Sequence, residues 1–276
     1  MRVAVIGHVE WVQFARVGDL PPRGSIVHAD RWWEEPAGGG PGAAVQLLKL
    51  AGECALFTAL GDDDIGHRAE SELQAMGLRV HAAWRSEPSR RAFTHITPDG
   101  ERTITVLGNR LAVSGTDDLP WDDLDEIDAV FFTAGDEAVL KRGRTAPVLV
   151  ATSRVLDVVK RSRVLLDGLV GSANDPSETY QPGDLDPEPK VVALTEGERG
   201  GTLLVSGEGP RRFAAPTLPG PIVDNYGAGD SFAGGFTYGL GAELSPLQAV
   251  ELAARCGAAA VTGDGPYEAQ LTAADL

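Results

Sequence analysis

The chain has 276 residues, enough to bury a full core as one large domain or as a domain with an appendage. Its formal charge of -16 and pI near 4.7 exclude a general nucleic-acid or anionic-membrane surface, though not a nucleotide, which needs only a local cradle. No apolar run is long enough to span a membrane, and residues 1–7 are too short and strand-like for a signal peptide, so a cytoplasmic protein is expected.

Val3 to Ile6 is a short apolar run ending at Gly7, the pattern of a buried strand. The residues behind it, Gly7-His8-Val9-Glu10, lack the glycine spacing of a dinucleotide fingerprint, which disfavours an NAD-dependent oxidoreductase. Residues 11–35 mix Trp, Val and charges around Pro21-Pro22 and Gly24 and read as extended strands and turns. Gly38-Gly39-Gly40-Pro41-Gly42 opens a helix through Ala51, with Gly52 as its stop. Small residues there allow either close approach to a ligand or a flexible loop. No Gly-Lys-Ser/Thr follows, so this is not a P-loop.

Cys54 to Leu60 is a second buried strand. Asp62-Asp63-Asp64 is expected to turn and cap the next helix, with Asp64 at the N-cap and Gly77 just past the end. Residues 79–107 alternate around Pro98-Asp99-Gly100, a hairpin signal. Residues 129–134, 147–152, 164–169 and 190–195 are further apolar strands, and 202–205 with 211–214 suggest a hairpin. Ser245-Pro246-Leu247-Gln248 combines an N-cap, Pro at N1 and a capping-box Gln before an Ala-rich helix.

Strand-helix alternation over most of the chain predicts an α/β fold of three layers, a mostly parallel central sheet covered by helices on both faces. The core is expected over 1–9, 37–78 and 108–276. The strand-only stretches, 10–36 and 79–107, are expected to form one discontinuous β-sheet lid. Trp11, Trp32, Trp33 and Trp84 lie in or beside these stretches, where they cover either an acceptor site, a subunit interface or a private core of the lid. Cys54 and Cys256 have no metal spacing and read as buried free thiols, and the five His show none either.

The most informative stretch is Asp224-Asn225-Tyr226-Gly227-Ala228-Gly229-Asp230, which puts a glycine-rich turn directly before a small-residue helix. Backbone N–H groups and the positive end of the helix make an anion cradle. A carboxylate in such a cradle repels phosphate, which is explained if Asp230 takes a proton from a hydroxyl that attacks a held phosphoryl group. The alternative is an ordinary helix start with Asp near the cap.

These motifs, in this order, resemble the PfkB family of sugar and nucleoside kinases, with the ribokinase-like fold. Asp224 to Gly234 is similar to the C-terminal signature, Gly38-Gly39 before a helix to the N-terminal one, and Gly61-Asp62 with Gly66 and Gly77-Leu78 to a recurring segment between them. Thr195-Glu196-Gly197 with Gly200 resembles the nucleotide-side loop.

The resemblance implies an ATP-dependent kinase that phosphorylates a hydroxymethyl group of a sugar-like molecule. Asp230 would be the base and the N–H groups of Gly227, Ala228 and Gly229 the anion hole. Thr195, Gly197 and Gly200 would line the ATP site, and Glu10, Gly38, Gly39 and Gly40, with Asp230, the acceptor. Mg2+ is expected near Glu178 and Asp175, the nearest match to an Asn-x-x-Glu motif. A monovalent cation is implied beside Asp224, where Asn225-Tyr226 replace the usual small hydroxylated pair, and a homodimer through the lid is implied as well. The family's sugar-contacting Asn and Asp fall at Ala43 and near Val12, so free ribose is expected to be a poor acceptor. The alternatives are a nucleoside or polyol kinase on the same machinery, or a non-catalytic ligand-binding protein that kept the fold.

Overall fold

The computed structural model describes residues 1–276. β1 (Val3–Ile6) is buried on both faces because its neighbours in chain and space cover both. Val3 and Val5 enter one hydrophobic core, and Ala4 and Ile6 the other. The period of two along one strand therefore sorts side chains into the two faces of a sheet.

Two strands, β2 (Glu10–Arg16) and β3 (Arg31–Ala37), leave this sheet before α1 (Gly39–Ala51) returns the chain to it. β4 (Cys54–Gly61) pairs in parallel with β1, and α2 (Asp64–Ala75) covers the way to β5 (Arg79–Arg85). β6 (Arg91–Ile96) and β7 (Arg102–Leu107) form the expected hairpin around residues 98–100. β8 (Ala129–Phe132), α3 (Glu137–Gly143), β9 (Val148–Thr152), α4 (Leu156–Ser162) and β10 (Gly168–Ser172) continue the alternation. β11 (Val191–Thr195) is followed by the antiparallel β12 (Gly201–Val205) and β13 (Arg211–Phe213). α5 (Ala228–Gly241) and α6 (Pro246–Ala260) close the chain, and Ser245 and Gln248 complete the expected capping box.

The large sheet has nine strands in the order β13-β12-β11-β10-β9-β8-β1-β4-β5, parallel except at β12 and β13. α1, α5 and α6 pack on one face, α3 and α4 on the other, which is the three-layer fold expected from the alternation. The small sheet has the order β3-β2-β6-β7, with β2 and β6 parallel. No helix is long and apolar enough to cross a membrane.

Three expectations are corrected. Residues 79–85 belong to the edge of the large sheet, paired with β4, and not to the small one. An edge strand is half exposed, so its alternation looks the same in either sheet. The strand expected over 164–169 lies at 168–172. Asp167 ends the approach to it, since its carboxylate accepts the Leu149 N–H at 2.8 Å and Lys190 Nζ at 2.8 Å. A Cβ at Gly168 would sit 2.8 Å from Phe236, so α5 demands glycine where an apolar run would not place it. The cap of α2 is Asp63, whose Oδ1 accepts the Gly66 N–H at 2.7 Å, and not Asp64.

The small sheet holds its own core of Val12, Phe14, Ala37, Ala92 and Ile96, into which Tyr226 inserts. Phe14 stacks on Trp33 and meets Tyr226 edge-on, each at 4.9 Å between centroids. Trp33 thus serves this private core, and Trp11 is buried under the Arg68 guanidinium. Trp32 stays 69 % exposed, and Trp84, in β5, packs on His67 of α2. Tyr226 is the joint between the small sheet and the glycine-rich turn before α5.

Candidate active site

The carboxyl ends of β1, β8, β9, β10 and β11 lie along one edge of the large sheet, where ligands settle in open α/β folds. The segment entering α5 faces this edge. Gly227 has φ 79°, and a Cβ there would meet Pro266 at 2.8 Å. Only glycine makes that turn without strain. The N–H groups of Gly227, Ala228 and Gly229 make no hydrogen bond within the chain, and the space beside Gly229 is open.

Asp230 follows in the first turn of α5, half-buried. No side chain caps this helix, and the Asp230 carboxylate accepts no hydrogen bond, so it is not a cap. Burial pushes its pKa up to about 6. Arg102 and Arg154 pull it back, and Glu178 and Glu10 add to the rise. A carboxylate half-withdrawn from water without a partner is costly, and this one lies beside unpaired N–H donors.

The start of α1 closes on Asp230 from the other side. A Cβ at Gly42 would lie 2.7 Å from Asp230 Cβ, and one at Gly39 would lie 3.5 Å from its Oδ1. Gly39 also faces Thr133 Oγ1 and His8 Cε1, at 3.0 and 3.4 Å from the same point. Gly40 donates its N–H to the His8 carbonyl at 3.1 Å, and Gly38 faces Glu10 and His8. The glycine run therefore lets β1, α1 and α5 converge. Ala43 is buried in α1, and Val12 is sealed inside the small sheet, so neither offers a polar atom to a ligand.

His8 is a site residue that motif reading passed over, since it belongs to no metal spacing. It sits two residues after β1, and its position at the carboxyl end of a central strand was the usable signal. Burial lowers its pKa, so the ring is neutral at pH 7. Nε2 lies 3.4 Å from Glu10 Oε1, and Nδ1 is buried with no partner. The same Glu10 oxygen is 3.0 Å from Arg90 Nε. Burial alone would raise the Glu10 carboxyl, but His8, Arg90 and Arg110 hold it below the usual range.

The remaining candidates lie at the ends of β10 and β11. Thr195 Oγ1 donates to the Gly171 carbonyl at 3.2 Å, and Ala173 N–H to the Thr195 carbonyl at 2.9 Å, so the two loops run side by side. Gly197 and Gly200 both have positive φ, and a Cβ at Gly200 would strike the Phe213 carbonyl at 2.1 Å. Asp175 Oδ1 accepts both the N–H and Oγ of Ser177 at the start of a short turn, while its Oδ2 meets Arg154 at 2.8 Å. Arg154 also lies 2.5 Å from Glu178, whose carboxyl burial holds above its usual range against that pull. No group of three or more metal-ligating side chains forms. Asp224 is fully buried, its oxygens taken by the N–H groups of Tyr226 at 2.8 Å and Gly265 at 3.1 Å.

Comparison with known proteins decides what this arrangement belongs to. The sequence profile of the pfkB family carbohydrate kinases matches residues 1–156 and 141–273. The chain is a member of the pfkB family. The kinase is 28 % identical over 279 residues to the aminoimidazole riboside kinase of Salmonella typhimurium, covering 85 % of this chain and 84 % of that one. It is 27 % identical over 284 residues to the ATP-dependent ribose-1-phosphate kinase of Halopiger xanaduensis, covering 98 % and 95 %. Its fold matches that of Arabidopsis thaliana ribokinase complexed with ribose and ATP, with a TM-score of 0.75, 19 % identity and coverage of 99 % and 96 %. The kinase thus phosphorylates a sugar-like small molecule at the expense of ATP.

Proposed function

We propose that the kinase transfers the γ-phosphoryl of ATP to a hydroxymethyl group of its acceptor, with Asp230 as base. The observation that carries this is the unpartnered Asp230 carboxylate, raised to about 6, next to three N–H groups that bond nothing in the chain. At neutral pH it is ionised yet basic enough to take the hydroxyl proton as the oxygen attacks. The N–H groups of Gly227, Ala228 and Gly229 are already aimed and need no reorganisation, so they form the anion hole for the transferred group. Arg102 and Arg154 add positive charge there. Thr195, Gly197 and Gly200 border the nucleotide, and Glu10, Gly38, Gly39 and Gly40 border the acceptor.

Phosphoryl transfer between two anions also needs charge neutralisation, which Mg2+ supplies when bound. Mg2+ takes one or two carboxylates plus phosphates. Glu178 fits that description, being half-buried with one charged partner. Asp175 does not, since both its oxygens are used by Ser177 and Arg154. Glu178→Gln should therefore raise the Mg2+ concentration that gives half-maximal rate by roughly tenfold, the scale of one charged contact. An unchanged Mg2+ titration would remove Glu178 from the metal.

Both curated relatives are named for ribose-containing acceptors, so the first assay is acceptor-dependent ADP release with ribosides, sugar phosphates and free sugars. Release should depend on the acceptor and yield one phosphorylated product. Free ribose should be slower than the best acceptor by about 30-fold or more, because two sugar contacts are replaced by Ala43 and Val12 and each unmet hydroxyl costs about 1–3 kcal/mol. ADP release indifferent to every acceptor would defeat the reading.

A further inference from the structure

Arg154 lies two residues past the carboxyl end of β9 and holds two carboxylates with one nitrogen. Its Nη2 is 2.8 Å from Asp175 Oδ2 and 2.5 Å from Glu178 Oε1. The loops that carry these groups are fixed to each other. Ser153 Oγ donates to the Glu178 carbonyl at 2.7 Å, and a Cβ at Gly171 would lie 2.4 Å from Ser153 Oγ. The nucleotide-side loop joins the same place, through Thr195 Oγ1 on the Gly171 carbonyl at 3.2 Å and Arg199 Nη2 on Asn174 Oδ1 at 3.1 Å.

The two carboxylates are not equivalent. Asp175 is tied down by the Ser177 N–H and Oγ, and its side chain is 36 % exposed. The Glu178 side chain is 15 % exposed, and Arg154 is its one ion-pair partner. A carboxylate so far withdrawn from water needs a counter-charge, and in this structure the chain supplies it. A dication on Glu178 would use the same oxygens and would repel the guanidinium, so metal and Arg154 are alternatives there. Arg154 is also the member of the cluster that can leave. Its side chain is long and 45 % exposed, and the guanidinium fork matches phosphate oxygens.

We propose that Arg154 fills the metal carboxylate of the empty enzyme and yields it when nucleotide phosphate takes the guanidinium, so that Mg2+ and nucleotide bind as a coupled pair. Asp175 keeps the guanidinium beside the site in both states, which gives a role to the carboxylate that does not fit the metal. Coupling of this kind is reciprocal: nucleotide raises the affinity for metal by the factor that metal raises the affinity for nucleotide. The free enzyme is thereby kept from loading metal that no phosphate accompanies. The proposal rests on the reading of Glu178 as the carboxylate that holds Mg2+.

The test measures two affinities, neither of which involves turnover or an acceptor. Mn2+ takes the same oxygen ligands as Mg2+ and is counted by electron paramagnetic resonance on the nucleotide-free enzyme. Arg154→Gln can still bond Asp175 but has lost the charge. It should bind Mn2+ about tenfold more tightly than the parent, the scale of one charged contact, and the gain should vanish when Glu178→Gln is added. Calorimetry in EDTA measures ATP without metal. There Arg154→Gln should bind ATP about tenfold more weakly, because a phosphate contact is gone. Arg154→Met, which fills similar space without charge, should repeat both shifts. The opposite signs mark the exchange, since a mere brace between loops moves both affinities down or neither. Mn2+ binding by Arg154→Gln no tighter than the parent's, or not measurable at millimolar concentration, overturns the proposal. A gain that survives Glu178→Gln overturns it by making charge in general the cause. Metal-free ATP binding that is unchanged in Arg154→Gln, or absent from the parent at millimolar concentration, overturns it as well. The kinase reading is decided separately, by acceptor-dependent ADP release.

Discussion

Asp230→Asn is expected to lower kcat by about 10²–10⁴-fold while leaving ATP bound as tightly as before or more tightly. Asn keeps the shape of the side chain but accepts no proton from the attacking hydroxyl. Nucleotide binding improves, if it changes, because a negative charge beside the phosphates is gone. The parent enzyme should show the same group in its pH profile. kcat/KM should rise about tenfold per pH unit below an inflection near 6 and level off above it, since the base works only when ionised. The variant's residual activity should lack that inflection.

Stability gives an independent check on the same residue. The folded-state pKa of Asp230 lies above its unfolded value, so the folded protein holds that proton more tightly than the unfolded chain does. The ionised carboxylate therefore costs stability above about pH 6, and the cost fades as pH falls through that value. Asp230→Asn should melt no lower than the parent at pH 7.5, and its advantage should shrink by pH 5. Thermal melts at both pH values, run beside turnover and ATP titration, check this. Turnover within about threefold of the parent would remove Asp230 from the chemistry.

Gly42→Ala is expected to cost about tenfold or more in kcat with little loss of stability. The added Cβ would lie 2.7 Å from Asp230 Cβ and 3.1 Å from its Oδ2. Asp230 Cβ is fixed to the α5 backbone, so it cannot swing away as the end of a flexible side chain could. The first turns of α1 and α5 must separate by some tenths of an ångström, and a misplacement of about 1 Å can cost about 10² in rate. Alanine in a helix is favoured over glycine by about 0.5–1 kcal/mol, which offsets the strain in the melting temperature. Gly18→Ala, at a site with open space around it, is the control for a general effect of an added methyl. A Gly42→Ala enzyme with the parent's kcat would show that the two helices need not touch at Asp230.

Much of this protein is legible in its sequence because the signals are local. The buried strands announce themselves as apolar runs, since both faces of a parallel sheet are covered. Ser245-Pro246 and Gln248 specify a helix start through contacts spanning three residues. The turn into α5 is equally local, because only glycine takes the backbone of residue 227 past Pro266. The presence of a phosphate-directed carboxylate could be argued from four adjacent residues, Gly227 to Asp230, without knowing what surrounds them.

What could not be read was settled by contacts between distant parts of the chain. β5 and the strands of the small sheet have the same half-exposed alternation, and only pairing with β4 assigns residues 79–85 to the large sheet. β10 begins four residues later than its apolar run suggests because Asp167 is held by Leu149 and Lys190, and α5 leaves no room at Gly168. The sequence alone determined an α/β kinase-like frame, its glycine turn and the one carboxylate at its centre. The tertiary structure alone brought His8, Glu10, Arg102, Arg154 and Glu178 to that carboxylate's neighbourhood. Charge acts across space irrespective of chain separation, so no spacing rule along the sequence could have assembled that set.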